Sequence, residues 1–203
     1  MDVSGLILAG GRATRMGGED KGLVPLAGTA MITHVIARFA PQVDQVAINA
    51  NRHTTEYQAL GYSVVADESP DFAGPLAGML AGLAWCSSAY LQIVPCDGPL
   101  LASDLVMRLR TAIADADVAV AHDGERLQPA HLLIAAHRYA HLQAYIADGG
   151  RKIDHWLAQL RYQTVDFSDR RAMFINVNTL SERDAMAAMI QNPELEAAHD
   201  ANP

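Results

Sequence analysis

The chain has 203 residues, half of them hydrophobic and few of them aromatic, with a formal net charge of −8. That length supports one sizeable α/β core, with two small domains as its limit, and the acidic balance argues against a sequence-independent nucleic-acid binder, which must neutralise many phosphates. The apolar stretches stop well short of the roughly 20 residues of a membrane span. Met1-Asp2-Val3-Ser4 lacks the cationic start of a signal peptide, and Cys86 and Cys96 give neither a disulfide framework nor a metal-ligand spacing. A cytoplasmic protein with no nucleic-acid or membrane partner is the expectation.

The first element is an apolar run, Val3 to Ala9, that reads as a buried strand. The loop after it holds Gly10, Gly11, Gly17 and Gly18 among Arg12, Arg15 and Lys21. Glycines at this density let a ligand approach main-chain N–H groups closely. Backbone donors with fixed cations suit a polyphosphate, which must lose water while keeping its charge compensated. Neither the Gly-Lys-Ser/Thr of a P-loop nor the Gly-x-Gly-x-x-Gly dinucleotide fingerprint is present in any register. The reading is a nucleoside triphosphate site; the plainer alternative is a glycine-rich turn carrying surface cations.

Leu26-Ala27-Gly28-Thr29 reads as a turn. Met31, Ile32, Val35, Ile36 and Phe39 have helical spacing, and Pro41 ends that helix. Val43 to Asn49 predicts a second strand, Thr54 opens a short helix that Gly61 stops, and Tyr62 to Ala66 predicts a third strand ending at Asp67. Pro75 to Trp85 predicts a helix rich in Ala and Gly, held close against a sheet. Tyr90 to Val94 is an apolar strand leading into Pro95-Cys96-Asp97. This alternation predicts a Rossmann-like three-layer αβα domain with a mostly parallel sheet.

Further on, the sequence predicts a helix from Leu105 to Ala114, strands at Val118 to Ala121 and Leu132 to Ala135, and a helix from about His137 to Ala147. Gly149-Gly150 breaks that helix. Ile153 to Leu160 reads as a helix, Gln163 to Phe167 and Met173 to Val177 as strands, and Ser181 to Gln191 as a last helix capped by Ser181. Residues 192–203 have little to bury and read as a frayed tail. No repeat or linker divides residues 1–191, which read as a single domain.

In parallel sheets, ligands bind beyond the carboxyl ends of the strands. Ala9/Gly10, Asn49, Asp67 and Asp97 all fall at such ends. Asp97, set between Pro95 and Pro99, is suited to hold Mg²⁺ through one carboxylate, the ion keeping water and substrate phosphate as its other ligands; a helix-capping Asp is the alternative. Lys21 and Arg15 can neutralise charge on a departing pyrophosphate, or else lie along the surface as solvated cations. His137 and His141 share a helix face without an evident third ligand. Cys96 reads as a small packed residue, and no Gly-x-Ser-x-Gly elbow is present.

Leu8-Ala9-Gly10-Gly11, Arg15-Met16-Gly17-Gly18 and Asp20-Lys21-Gly22-Leu23 resemble the signature of the molybdenum cofactor guanylyltransferases. The resemblance continues through Asn49-Ala50-Asn51-Arg52-His53, Gly74-Pro75-Leu76-Ala77-Gly78, Pro95-Cys96-Asp97 and Asn176-Val177-Asn178-Thr179. It implies transfer of GMP from GTP to Mo-molybdopterin, with Mg²⁺ as cofactor and pyrophosphate released. Leu8, Ala9, Gly10, Gly11, Lys21, Asn49, Asp67 and Asp97 would then contact GTP, with Asn49 and Asp67 beside the nucleoside. Asp97 would hold the metal, Arg15, Lys21 and Asp97 would carry catalysis, and Asn176 and Asn178 would meet the acceptor. Residues 1–100 would form the GTP/Mg half and 101–191 the acceptor half, where Arg151 and Lys152 either hold the acceptor phosphate or begin a solvated helix. Transient contacts with other proteins of molybdenum-cofactor biosynthesis are implied as well. A cytidylyltransferase for the same acceptor, a sugar-phosphate nucleotidyltransferase and a nucleotide-binding regulatory module without turnover stay open as alternatives.

Overall fold

The computed structural model describes residues 2–9, 20–68 and 74–201. Nine strands form among the described residues, β1 (Val3–Leu8), β2 (Pro25–Leu26), β3 (Thr29–Ala30), β4 (Gln45–Asn49), β5 (Ser63–Val65), β6 (Tyr90–Pro95), β7 (Val118–His122), β8 (Leu127–Ala135) and β9 (Tyr162–Asp166). The helices are α1 (Met31–Phe39), α2 (Thr54–Gln58), α3 (Pro75–Trp85), α4 (Leu105–Ala112), α5 (Tyr139–Ala147), α6 (Ile153–Leu157), α7 (Leu180–Gln191) and α8 (Pro193–Asp200). Seven strands make one sheet in the order β5-β4-β1-β6-β8-β7-β9. Only β8 runs against the rest, so the sheet is the mostly parallel Rossmann-like type that the strand-helix alternation predicts.

Strand side chains alternate between two covered faces. Val3, Ile7, Val46, Ile48 and Val94 point into a layer with Ile32, Val35 and Phe39 of α1 and Leu105 and Leu109 of α4. Leu6, Ala47, Leu91 and Ile93 point the other way, against Leu76, Met79 and Leu83 of α3, Leu142 of α5 and Trp156 of α6. Burial on both faces explains why the central strands read as continuous apolar runs. The small residues of α3 let it lie close to the sheet. A Cβ at Gly82 would fall on the Leu6 and Leu91 side chains, and one at Gly78 on Leu8 and the Asn49 carboxamide. No helix of the described residues is long and apolar enough to cross a membrane.

Several expectations are corrected. Met173 to Val177 is not a strand: a 3₁₀ turn, Arg171–Phe174, leads into an irregular segment outside the sheet. Its apolar alternation arises because Met173 and Val177 enter two different clusters, a packing requirement that involves no ladder. The cap of α7 is Thr179, not Ser181. Its Oγ1 accepts from Glu182 N at 3.2 Å while the Glu182 carboxylate accepts from Thr179 N at 2.9 Å, a reciprocal capping box. The expected frayed tail contains α8, which buries no residue but is tied down at both ends. Arg38 grips Glu196 through two bonds of 2.7 and 2.8 Å, and Asp200 accepts from Ala172 N at 2.8 Å.

His131 on β8 is 2% exposed, and neither ring nitrogen has a hydrogen-bond partner among the described residues. Its ring stands edge-on to Phe174 at 5.1 Å, and Phe174 stands edge-on to Phe167 at 6.4 Å. Burial pushes its pKa down from 6.5 to about 3. The unfolded chain therefore takes up a proton as pH falls through 6.5 while the folded protein does not until about 3, so stability is lost across that window. His131→Leu should raise stability near pH 7 by about 1 kcal/mol, since it removes an unpaired buried N–H. The gap between variant and parent should widen on acidification, by at most about 1.4 kcal/mol per pH unit. Urea unfolding of both proteins between about pH 7 and pH 5 checks this; a gap independent of pH would show that the histidine is not held neutral.

Candidate active site

At the carboxyl edge of the sheet, β5, β4, β1 and β6 end side by side, and the residues beyond them continue the alignment. Ala9 N donates to Asn49 O at 2.9 Å, Ala50 N to Val65 O at 3.0 Å, and Cys96 N to Leu8 O at 3.1 Å. The chain leaves β1 toward β4 and β5, then returns to its other flank as β6. That reversal makes β1 the topological switch point, where parallel sheets open a crevice for ligands. Leu8 and Ala9 stand at its floor. Gly10, Gly11, Arg12, Arg15, Gly17 and Gly18 lie outside the described residues.

Lys21 stands above the end of β6. Its Nζ donates to Asp97 Oδ2 at 2.9 Å and to Asn178 Oδ1 at 2.5 Å. The two charged side chains are 21% and 15% exposed, so the pair is largely but not wholly withdrawn from water. Asp97 O in turn accepts from Val177 N at 3.0 Å, which lays the segment before α7 across the strand end. Asn178 N donates to Glu182 at 2.7 Å, so the capping box of α7 also fixes the carboxamide that meets Lys21. Asn176 is exposed at the rim, its Oδ1 3.8 Å from where a Gly98 Cβ would stand. Gly98 eases the close approach of the Met173 carbonyl, 3.3 Å from where its Cβ would stand, to the Asp97 loop. Asn178 belongs to the Lys21 cluster itself, so the segment expected to meet the acceptor reaches the lysine expected to meet GTP.

The β4 and β5 ends carry a second polar group. Asn49 is 3% exposed, and its Nδ2 donates to Asp67 Oδ1 at 2.9 Å and to Val65 O at 3.2 Å. Asn51 closes the other side, giving Nδ2 to Asp67 Oδ2 at 2.7 Å and accepting from Asp67 N at 2.8 Å. Asn49, expected beside the nucleoside, therefore faces inward and holds the half-buried Asp67 carboxylate at the crevice.

Cations and other polar groups of the second half are engaged elsewhere. Arg151 donates to the carbonyls of Ile146 and Gly150 at 2.9 and 2.7 Å, closing the end of α5. Arg161, Arg170 and Arg171 lie within 4.0 Å of Asp117, Asp104 and Glu125 respectively. His141 Nδ1 accepts from Trp156 Nε1 at 3.1 Å. Burial, reinforced by Asp97 and Asp20, pushes the Cys96 thiol pKa far up, which keeps it protonated and unreactive.

Four further residues shape the site without having been singled out from the sequence: Asp20, Asn51, Tyr57 and Glu182. For Glu182 a signal existed, since Thr179 and Glu182 have the spacing of a capping box. Asn51 stood in a noted motif, but its partner is 16 residues away. Nothing local joins Tyr57 to Asp20, 37 residues apart.

Residues 5–165 match the MobA-like NTP transferase domain. The molybdenum cofactor guanylyltransferase of Shewanella sp. (strain MR-4) is 47% identical over 192 residues, covering 94% of this chain and 98% of that protein. That of Shewanella halifaxensis is 43% identical, covering 94% and 96%. Among solved structures, molybdopterin-guanine dinucleotide biosynthesis protein A from Archaeoglobus fulgidus superposes with a TM-score of 0.77 at 20% identity, covering 93% of this chain and 98% of that one. The fold is shared as well with 4-diphosphocytidyl-2C-methyl-D-erythritol synthase from Anaerococcus prevotii, at a TM-score of 0.74 and 11% identity, covering 94% of this chain and 98% of that one. By sequence along nearly its whole length, and by the fold that sequence adopts, the chain belongs to the molybdenum cofactor guanylyltransferase family.

Proposed function

We propose that the chain transfers GMP from GTP to the terminal phosphate of Mo-molybdopterin, forming the guanine dinucleotide cofactor and releasing pyrophosphate. The observation that carries this reading is the convergence of Lys21, Asp97 and Asn178 at the switch point of a parallel sheet. The acceptor phosphate is already an anionic nucleophile, so little proton abstraction is required. Aligning two anions and compensating the leaving charge is most of the task. Lys21 stabilises the departing pyrophosphate, together with Arg15, Gly10 and Gly11 from the loop after β1. Asp67, steadied by Asn49 and Asn51, accepts from guanine N1–H and the exocyclic amine. Asn176 and Asn178 offer mixed donors and acceptors to the pterin.

Mg²⁺ fits the donor set: one strand-end carboxylate, Asp97, beside carboxamide oxygens, all hard oxygen donors. Among the described residues no group of three or more His, Cys, Asp or Glu side chains forms a cage, and Mg²⁺ is commonly held by one or two carboxylates with water and phosphate as its remaining ligands. Bound there, it would supply charge compensation to the α-phosphate and the leaving oxygens. Two free thiols suit the reducing cytoplasm, where we place the reaction.

Pyrophosphate release in the presence of acceptor, compared across the four nucleoside triphosphates, tests the reading; GTP should be consumed and CTP not. Asp67→Ala should weaken GTP binding by about 1–3 kcal/mol, because guanine donors are left unpaired in a desolvated site, and ATP much less. Equal losses for both nucleotides, measured by calorimetry, would place Asp67 away from the base. Asp97→Asn should keep the fold and most GTP affinity yet lose about 10²-fold or more in kcat, because the carboxamide lacks the charge that fixes a metal and balances Lys21. Near-parental turnover at saturating Mg²⁺ would remove Asp97 from both roles. Asn178→Ala should weaken the acceptor and, through the loosened Lys21, also slow turnover of GTP; an effect on neither would take Asn178 out of the site.

A further inference from the structure

Asp20 is a carboxylate only 6% exposed, directly before the lysine of the site. Its Oδ1 accepts from Gly22 N at 3.2 Å and from the hydroxyl of Tyr57, a side chain with no exposed surface. Asp20 thereby caps the 3₁₀ turn Lys21–Leu23, in which Leu23 N donates back to Asp20 O at 3.0 Å and Val24 N to Lys21 O at 3.3 Å. The backbone of Lys21 is thus clamped on both sides. Tyr57 fills the space that Gly22 leaves, since a Cβ there would meet its hydroxyl at 2.5 Å. Tyr57 belongs to α2, which begins three residues after Asn51, the residue that clamps Asp67. The short segment from Asn51 to Tyr57 therefore touches both polar groups of the crevice.

We infer that Tyr57 and Asp20 form a positioning pair whose hydrogen bond sets where the Lys21 ammonium stands, and so govern the step that Lys21 assists; this rests on the guanylyl transfer proposed above. A lysine has a long stem with several free torsions, so Nζ stays between Asp97 and Asn178 only if its Cα is fixed. Without the hydroxyl, the buried Asp20 carboxylate loses a partner that no neighbour in the fold replaces, and it must shift or draw water in. Either response moves the turn. A displacement of about 1 Å at a reacting centre costs up to 10²-fold in rate.

The sequence supplies an internal control, because Lys21 and Lys152 are its only lysines. Lys152 is exposed, at the start of α6. Brief treatment of the full-length protein with a low dose of acetic anhydride, read by peptide mass spectrometry, gives the ratio of Lys21 to Lys152 acetylation. In Tyr57→Phe that ratio should rise several-fold. In the same protein kcat for pyrophosphate release from GTP with the acceptor should fall about 10- to 100-fold while KM for GTP changes far less. An unchanged ratio, or a normal kcat beside a raised ratio, overturns the inference. Should Tyr57→Phe fail to fold, Gly22→Ala displaces the same hydroxyl without deleting a polar group and should raise the ratio alike; an unchanged ratio there overturns it equally. If the parent chain releases no pyrophosphate from GTP but the ratio still rises in the variants, guanylyl transfer falls and the positioning of Lys21 by Tyr57 and Asp20 stands.

Discussion

The ammonium of Lys21 ties together three segments that lie far apart in the chain. Asp97 is 76 residues away and Asn178 is 157, and both reach the same nitrogen. Holding one lysine rotamer costs about 2 kcal/mol of side-chain entropy, and charge-assisted hydrogen bonds in a partly dry setting offset it. A compact point charge also leaves room for other ligands around Asp97, which the wide fork of an arginine would occupy. The cation, the strand-end carboxylate and the start of α7 are therefore one structure, and a change to any of them is felt by the other two.

The polar side chains at this edge, from the buried Asn49 to the exposed Asn51 and Glu182, are each tied to a backbone. Asn49 binds the Val65 carbonyl as well as Asp67, Asn51 binds both the main chain and the side chain of Asp67, and Glu182 serves the Asn178 and Thr179 amides. Such networks are costly when half satisfied and rigid when complete. Rigidity is what an alignment reaction requires. The demand reaches into the core, since Asn49 can stand where it does only because α3 presents Gly78 at that point. The small residues of α3 are thus bound up with the site as much as with the packing of the layer.

The sequence made this edge legible because β1 is an apolar run that stops at glycines and β4, β5 and β6 are largely apolar runs that lead to Asn49, Asp67 and Asp97. Doubly buried strands have to look that way. It showed less well which way those residues face. Asn49 lies at the expected strand end, yet its carboxamide turns inward to Asp67, and no spacing rule reports that. The segment from Met173 to Val177 alternates as a strand does, yet it crosses the strand ends as a loop, because alternation records only which residues are buried. Asp20 and Tyr57 were illegible for a different reason: a buried carboxylate and its hydroxyl partner leave no periodicity, and only the fold brings α2 over the 3₁₀ turn. Residues 192–203 offer little to bury, and α8 within them buries no residue, yet the Arg38–Glu196 ion pair and the Asp200–Ala172 bond were enough to dock it.

The charges at the edge also give the crevice a direction. Asp20 is turned inward to Tyr57 and Gly22, and Glu182 is occupied by two amides. Among the described residues, the groups that can meet a ligand include Lys21 with Asp97 at one end and the half-buried carboxylate of Asp67 at the other. Three strand spacings separate the ends of β5 and β6, about 14 Å, comparable to the reach from a purine ring to its triphosphate. A polyanion is repelled from the Asp67 end and drawn to the Lys21 end, whereas a base edge rich in N–H donors is favoured at Asp67. A nucleotide entering the wrong way round would set phosphate against carboxylate and leave Lys21 facing a neutral ring. On the proposed reading, the Asp67 carboxylate at one end of four strand ends and the Lys21 ammonium at the other favour one orientation of the nucleotide before any contact specific to guanine is made.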